Sequence, residues 1–202
     1  MRGVSFAGIY DAVMVAADRF GLARRRRSLA REARGRVIEI GAGTGLQFAY
    51  YPRGAEVYAI EPDLAMIERA RTRRRDAPAS ITLVAADARA LPFRDGAFET
   101  AIVALAFCTI PEPERAAREM RRVLGRTGMA RLLEHVRATH RMVAWPQVAL
   151  TPLWCRVAGG CHLARRTVDV MRRAGFDVTV VESALDGVLV ELIARPGRAP
   201  AG

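Results

Sequence analysis

The sequence contains no lysine and no asparagine, and all 32 of its basic residues are arginine. Alanine, glycine and arginine are abundant, which is the pattern that a GC-rich coding sequence produces. The net charge of +11 therefore partly reflects composition bias and is weak evidence for a nucleic-acid partner. Two arginine clusters, 24–27 and 71–75, are each expected at the end of a helix, where cations interact favourably with the last carbonyl groups.

Long apolar runs and signal-like segments are also missing. The longest uncharged apolar run spans residues 101–108, far short of the ~20 residues that a membrane span requires. The N-terminal residues include Asp11 and Asp18 and show no cleavable signal pattern, so a soluble, cytoplasmic protein is expected. Because three cysteines are an odd number in such a chain, we interpret them as thiols rather than as a disulfide framework.

The chain is long enough for one domain with a buried core. Its 202 residues are 51% apolar and 26% charged, which is typical of globular proteins and excludes disordered and fibrous classes. We interpret residues 1–202 as a single domain with an N-terminal helical cap at 1–34. A long connection at 137–166 is predicted to form a lid, with a helix packed on the sheet as the alternative.

Strand-like and helix-like segments alternate from residue 36 onward, which predicts a parallel sheet with helices on both faces. The predicted strands are 36–40, 55–61, 81–85, 98–107, 129–136, 176–183 and 188–194. The last two are joined by only 184–187, and so short a link permits only an antiparallel hairpin. The predicted fold class is therefore α/β, a doubly wound Rossmann-like sheet of seven strands with a C-terminal antiparallel hairpin.

Capping residues mark three of the predicted helices. Asp63 is expected to cap a helix that runs to about Arg75, and Pro113 suits the first turn of the next helix. Residues 167–174 are predicted to be helical, with Gly175 as the stop.

A glycine-rich turn follows the first predicted strand, in Glu39-Ile-Gly-Ala-Gly-Thr-Gly45. Glycine there lets a ligand approach backbone that any Cβ would block. The turn differs from the dinucleotide fingerprint because Leu46 takes the place of its third glycine, and because Glu39 would repel a pyrophosphate. A cationic ligand that carries an ammonium and a sulfonium would suit Glu39 better.

Two further acids follow the next two strands. Glu61 comes 20 residues after Gly41, where a carboxylate can accept hydrogen bonds from both ribose hydroxyls. Asp87 follows the third strand and could reach the amino group of an adenine. Three acids and a glycine turn at successive strand ends therefore predict a ligand made of adenosine and an amino acid.

At these residues the sequence resembles the class I methyltransferases that use S-adenosylmethionine, in the methyltransferase type 11, ubiquinone-biosynthesis-like group. Residues 91–98, which read Leu-Pro-Phe-x-Asp-x-x-Phe, are similar to the lead into the family's fourth strand. The turn before the fifth strand reads Gly-Arg-Thr-Gly in place of the usual Lys-Pro-Gly-Gly. The resemblance covers residues 10–194 and implies S-adenosyl-L-methionine as the cofactor. The cofactor-binding residues that it implies are Glu39, Gly41, Ala42, Gly43, Gly45, Glu61, Pro62, Met66, Asp87, Ala88 and Ala104.

The segment after the fifth strand resembles one branch of this family. Leu133-Glu-His-Val136, the two tryptophans and Gly159-Gly-Cys-His-Leu-x-Arg165 are similar to thiol methyltransferases. Bacterial phospholipid N-methyltransferases and quinone-ring methyltransferases are neighbouring branches. We therefore expect a small-molecule or lipid-like acceptor that offers a thiol, an amine or a phenol or quinone-type ring.

The acceptor site is predicted at the edge where strands four and five end. Its substrate-contacting candidates are Tyr10, Cys108, Trp145 and Trp154, of which the two tryptophans lie in the lid. His135 and His162 are the candidate bases, and for His135 a purely structural hydrogen bond is the alternative. No metal is expected, because neighbouring residues such as Cys161 and His162 seldom point at one atom and no C-x-x-C spacing is present.

Two other classes of function compete with this interpretation. A nicotinamide-dependent reductase would share the glycine turn and the ribose acid, but it should have the third glycine and an all-parallel sheet. An RNA methyltransferase or a nucleic-acid-binding protein would explain the arginine excess but not the three acids, so a nucleic-acid partner is not expected. The electrostatics of residues 24–27 also allow peripheral contact with an anionic membrane.

Overall fold

A computed structural model describes residues 6–197, which form one seven-stranded sheet with helices on both faces. The strands are β1 (Arg36–Ile40), β2 (Glu56–Ile60), β3 (Ser80–Val84), β4 (Thr100–Ala104), β5 (Met129–His135), β6 (Phe176–Ala184) and β7 (Leu189–Pro196). Their order across the sheet is β3-β2-β1-β4-β5-β7-β6. The first five strands are parallel, and β7 is antiparallel to β5 and to β6. The predicted α/β fold class and its C-terminal hairpin are confirmed.

Six α-helices accompany the sheet in the described residues. They are α1 (Phe6–Ala17), α2 (Ala23–Arg31), α3 (Leu64–Arg75), α4 (Pro113–Leu124), α5 (Arg141–Val157) and α6 (Thr167–Arg173). Apolar residues of α2 and α3 pack on one face of the sheet, and those of α4 and α6 pack on the other. Asp63 caps α3 as predicted, because its carboxylate accepts the backbone N–H groups of Ala65 and Met66.

The fourth strand is shorter than the predicted range 98–107. β4 ends at Ala104, and Leu105 takes a left-handed conformation with φ of 59°. The backbone N–H groups of Ala106 and Phe107 then donate to the Glu134 carboxylate at 2.9 and 3.0 Å instead of to a neighbouring strand. This buried carboxylate ends the strand early and turns the chain at the carboxyl edge of the sheet.

The N-terminal cap consists of two helices separated by a kink, and its residues 1–5 lie outside the described residues. The kink includes Gly21, which has φ of 107°, and α2 begins two residues later, at Ala23. Residues 24–27 therefore lie in the first half of α2, and their predicted place at a helix end is wrong. Arg26 is buried against Asp18, and Arg24 and Arg25 pair with Glu182 on β6. The cluster 71–75 does end α3 as predicted.

The segment 137–166 is built around the 17-residue helix α5. Its large apolar side chains are mostly exposed, namely those of Met142, Trp145, Val148, Leu150, Leu153, Trp154 and Val157. Hydrogen bonds from Gln147 connect α5 to the segments before and after it. The Gln147 side chain accepts the Ala138 N–H at 2.8 Å and donates to the carbonyls of Val136 and Leu163. None of the helices among residues 6–197 has the length and apolar character needed to cross a membrane.

Candidate active site

The glycine turn adopts left-handed backbone at Gly41, Gly43 and Gly45, with φ of 71°, 56° and 82°. A Cβ on Gly41 would collide with the Ala106 side chain, and one on Gly45 would lie 2.6 Å from the Phe48 ring. A Cβ on Gly43 would meet only the Tyr10 ring, at 3.9 Å. Gly41 and Gly45 are thus required by packing, whereas Gly43 leaves an open cradle for a ligand.

Glu39, on the strand that leads into this turn, is buried, with 2% of its surface exposed. The Tyr51 hydroxyl donates to its Oε2 at 2.8 Å. Burial raises the pKa of Glu39 to about 8, against the opposing effects of this hydrogen bond and of Arg26. A carboxyl group in this position would be stabilised in its ionised form by a bound ammonium or sulfonium, as the sequence predicts. Sequence reasoning missed Tyr51, because no local pattern links it to Glu39.

Glu61 connects the second strand to the glycine turn. Its Oε2 accepts the Gly43 N–H at 2.9 Å, and its Oε1 accepts the Asp63 N–H at 3.0 Å. Only 9% of its surface is exposed, and burial raises its pKa. The carboxylate therefore lies beside the open cradle at Gly43, which is the place that a ribose acid needs.

Asp87 lies at the next strand end, but its oxygens already have donors. Arg89 binds both oxygens through its guanidinium, at 2.6 Å in the shortest contact, and lowers the pKa of Asp87. Arg89 also pairs with Glu112 at 2.6 Å. An adenine contact by Asp87 stays a prediction, and Arg89 is a residue that the sequence pattern did not identify.

The other predicted cofactor residues lie at the same edge of the sheet. Ala42 is in the glycine turn, Pro62 and Met66 are at the start of the α3 region, Ala88 follows β3, and Ala104 ends β4. All of them except Pro62 are buried. The residues present thus fit S-adenosylmethionine, since an open glycine cradle is in contact with the buried acid Glu61 and follows the strand that carries the buried acid Glu39.

The N-terminal helix α1 contacts this edge of the sheet through Tyr10 and Asp11. Asp11 accepts the Thr44 hydroxyl at 2.6 Å and an Arg73 N–H at 2.8 Å, which fixes α1 on the glycine turn. Tyr10 lies over Gly43, and burial raises its pKa to about 12. The charges that act on Tyr10 include those of Glu61 and Cys108, so Tyr10 is near both residues.

A second group of side chains meets at the carboxyl edge of the same sheet, and we call it the Cys-His-Cys group. It consists of Cys108 after β4, His135 at the end of β5, and Cys161 after α5. His135 Nε2 is 2.9 Å from Cys161 Sγ, and the three nitrogen and sulfur atoms lie within 4.8 Å of one another. Cys108 and His135 together lower the pKa of Cys161 to about 4, whereas the pKa of Cys108 is raised by Cys161 and by burial.

The two other predicted acceptor residues differ in their placement. Trp154 is close enough to Cys161 to contribute to the lowering of its pKa, and the tryptophan side chain is 45% exposed. Trp145 is 75% exposed, and the structure does not bring it to that group. Its role in acceptor binding stays a prediction.

The side chains of the adjacent residues Cys161 and His162 lie in different environments. His162 lines a cleft of about 250 Å³ between α4, α5 and α6, which it shares with Arg165, Arg166 and Arg173. Cys161 instead faces His135. The role of His162 as a base stays a prediction, while the pairing of His135 with Cys161 could not be read from residues so far apart in the chain.

Comparison with known proteins agrees with this geometry. A family model described as a methyltransferase domain matches residues 38–132. Human thiol S-methyltransferase TMT1A is 29% identical over 178 residues, which cover 86% of this chain and 72% of that protein. Phosphatidylethanolamine N-methyltransferase of Cereibacter sphaeroides is 36% identical over 115 residues, which cover 55% of this chain and 57% of that protein.

Solved structures share the fold. An S-adenosylmethionine-dependent methyltransferase of Thermotoga maritima, described as a possible histamine N-methyltransferase, is 21% identical and has a TM-score of 0.64. The likeness covers 93% of this chain and 98% of that one. The chain spans only 62% of the length of several other curated relatives that it matches. The chain therefore contains a methyltransferase domain, matched at residues 38–132, and its seven-stranded sheet has the fold of the class I S-adenosylmethionine-dependent methyltransferases.

Proposed function

We propose that the chain transfers the methyl group of S-adenosylmethionine to the sulfur of a small thiol acceptor. The observation that carries this proposal is that the Cys-His-Cys group lies at the same carboxyl edge of the sheet as the open cradle at Gly43, and that Tyr10, whose ring lies over Gly43, is close enough to Cys108 for the two to interact electrostatically. The thiol is favoured over an amine or a phenol because a thiol S-methyltransferase is among the relatives that match most of the chain. An acceptor at this group would lie next to the donor site.

The residues of the glycine turn would hold the cofactor, which supplies an electrophilic methyl group on a sulfonium. Glu39 is buried on the strand that leads into the turn, and its carboxylate would interact with the positive charge of the amino-acid part. Glu61 would accept hydrogen bonds from the ribose hydroxyls, and Gly43 would admit the ligand to the backbone. Asp87, held in place by Arg89, would face the adenine.

The remaining task of the protein is alignment and the exclusion of water. Methyl transfer from a sulfonium is an in-line displacement, and holding two reactants near contact contributes up to ~7–11 kcal/mol in favourable systems. Tyr10 of α1 lies over the cradle, and Trp154 of α5 lies near Cys161. The two side chains would therefore help to exclude water from the donor and the acceptor.

A methyl-transfer assay tests this proposal. The purified chain is incubated with methyl-labelled S-adenosylmethionine and a panel of small thiols, amines and phenols, and labelled product is separated from cofactor. We expect a methyl thioether to form with at least one thiol and little product with amines. Product from amines or phenols alone would contradict the thiol assignment.

A phospholipid amine is the second candidate acceptor, favoured by the exposed apolar side chains of α5. Met142, Trp145, Leu153 and Val157 are all more than half exposed, and such a surface is suited to a lipid interface. The same assay with mixed vesicles of phosphatidylethanolamine and an anionic lipid decides between the acceptors. Sedimentation with those vesicles measures membrane contact separately.

A further inference from the structure

The Cys-His-Cys group brings together three metal-ligand side chains from three separate parts of the chain. Cys108 follows β4, His135 ends β5, and Cys161 follows α5. Within residues 6–197, these are the His, Cys, Asp or Glu side chains found clustered closely enough to share one ion. Cys108 is buried, and the other two are partly buried.

We propose that Cys108, His135 and Cys161 bind one zinc ion and leave its fourth coordination position open. Zinc is bound by thiolate sulfur at about 2.3 Å and by imidazole nitrogen at about 2.0–2.1 Å in a tetrahedron. The three ligand atoms already lie within 4.8 Å of one another, so only small side-chain movements separate them from that geometry. Two sulfur ligands and one nitrogen also exclude magnesium and calcium, which prefer oxygen.

The backbone around the two cysteines is held in place by protein hydrogen bonds. The His162 N–H donates to the Cys108 carbonyl at 2.9 Å, and Arg165 donates to the same carbonyl at 3.3 Å. The Cys155 thiol donates to the Cys161 carbonyl at 3.1 Å. Because these contacts tie the two cysteine loops together, binding the ion would cost little additional ordering of the chain.

The absence of a zinc motif in the sequence has a simple explanation. The prediction of no metal rested on the adjacent pair Cys161 and His162 and on the missing C-x-x-C spacing. The proposed ligands are instead 27 and 26 residues apart, at positions 108, 135 and 161. Parallel strand ends and the α5 connection bring them together, which only the fold reveals.

Three protein ligands with an open position is the arrangement of catalytic rather than structural zinc. The use of that position rests on the proposed function. An acceptor thiol would bind the ion through sulfur and release its proton to solvent. Its sulfur lone pair would then form the new C–S bond, while the sulfonium–methyl bond breaks with its electron pair on the cofactor sulfur. The products would be a neutral thioether and S-adenosylhomocysteine.

The test measures metal binding by the reduced full chain without cofactor or acceptor. Zinc is titrated against a chromophoric chelator, and bound zinc is counted by mass spectrometry. We expect one zinc per chain, and an affinity lower by about two orders of magnitude or more in Cys108→Ser, His135→Ala and Cys161→Ser. The matched control for His135→Ala is His140→Ala, which should bind zinc as the unchanged chain does, because His140 is exposed and lies outside the group.

A measurement on the unchanged chain covers the case in which a variant fails to fold. Cobalt substituted for zinc should show the intense thiolate-to-metal absorption of a site with two sulfur ligands. Absence of zinc uptake and of this band would overturn the proposal, as would an equal loss of affinity in His140→Ala and His135→Ala.

The proposed function can fail or hold independently of this result. Zinc binding without methyl transfer to any thiol would support the metal site and contradict the proposed thiol acceptor. Thiol methylation at an unchanged rate in the zinc-free chain would leave the proposed function standing and overturn the role of the ion.

Discussion

The Glu61 carboxylate accepts the backbone N–H of Gly43 at 2.9 Å, so the acid at the end of β2 and the glycine turn after β1 are directly linked. The other oxygen of Glu61 accepts the Asp63 N–H, which fixes the carboxylate at the start of α3. A residue placed in this way can hold a ribose and shape the turn at the same time. The two roles can be separated by comparing cofactor affinity with stability.

Replacement of Glu61 should weaken cofactor binding. Glu61→Ala removes one or two hydrogen bonds to a charged group, each contributing about 1.5–3 kcal/mol, so the affinity for S-adenosylmethionine should fall at least tenfold. Calorimetric titration measures this, with the exposed Glu68→Ala on α3 as the control. Equal affinities for S-adenosylmethionine in both variants would contradict the assignment of Glu61 as the residue that binds the ribose.

The open cradle at Gly43 gives a second prediction. Gly43→Val should abolish cofactor binding because the branched side chain would fill the ligand's path. Gly54→Val is a matched control, since Gly54 also has positive φ, at 83°, but has no neighbouring atom within 4 Å of a Cβ. Both variants carry similar backbone strain, and only the first should lose binding. Normal binding by Gly43→Val would place the cofactor elsewhere.

Burial of Glu39 predicts a specific pH dependence of stability. Its pKa is raised from 4.5 to about 8, so between these values the folded chain binds more protons than the unfolded chain. This contribution is fully present below about pH 4.5 and is lost as the pH rises toward 8. Urea unfolding of the cofactor-free chain should therefore show decreasing stability across this range.

Glu39→Gln provides the control for that measurement. The amide does not ionise, so the decrease in stability with pH should become shallower in the variant. Saturating S-adenosylmethionine should have a similar effect on the unchanged chain, because a nearby cation favours the ionised carboxylate. An identical pH profile in Glu39→Gln and the unchanged chain would show that Glu39 does not carry this effect.

The two tryptophans of α5 should differ in their effect on the acceptor. Trp154→Ala should raise the KM for the acceptor or lower kcat, while the affinity for S-adenosylmethionine stays within a few-fold, because the cofactor residues lie on other elements. Trp145→Ala should change acceptor kinetics less, since that side chain is 75% exposed. Loss of cofactor affinity in a folded Trp154→Ala would assign α5 to the donor site instead.

Binding to RNA should be weak and nonspecific. The arginines that attract phosphate are partly engaged within the protein, since Arg24 and Arg25 pair with Glu182 and Arg26 is buried against Asp18. Any binding should lack sequence preference and collapse between low and physiological salt. A filter-binding assay at two salt concentrations measures this. Tight, salt-resistant binding would revive the RNA methyltransferase alternative.

The parts of the molecule that local patterns govern could be predicted from the sequence. Alternation of strands and helices indicated the sheet, the short link at 184–187 indicated the hairpin, and Asp63 indicated the start of α3. Contacts between distant segments could not be predicted in this way. The shortening of β4 depends on Glu134, and the pairing of Cys161 with His135 depends on how α5 returns to the sheet.

The most direct measurement is a calorimetric titration of the chain with S-adenosylmethionine, S-adenosylhomocysteine and NAD. We expect S-adenosylmethionine and S-adenosylhomocysteine to bind at a single site, and Gly43→Val to abolish the binding of both. NAD should produce no binding heat. Binding of NAD without binding of S-adenosylmethionine would contradict the assignment of the glycine turn and its acids.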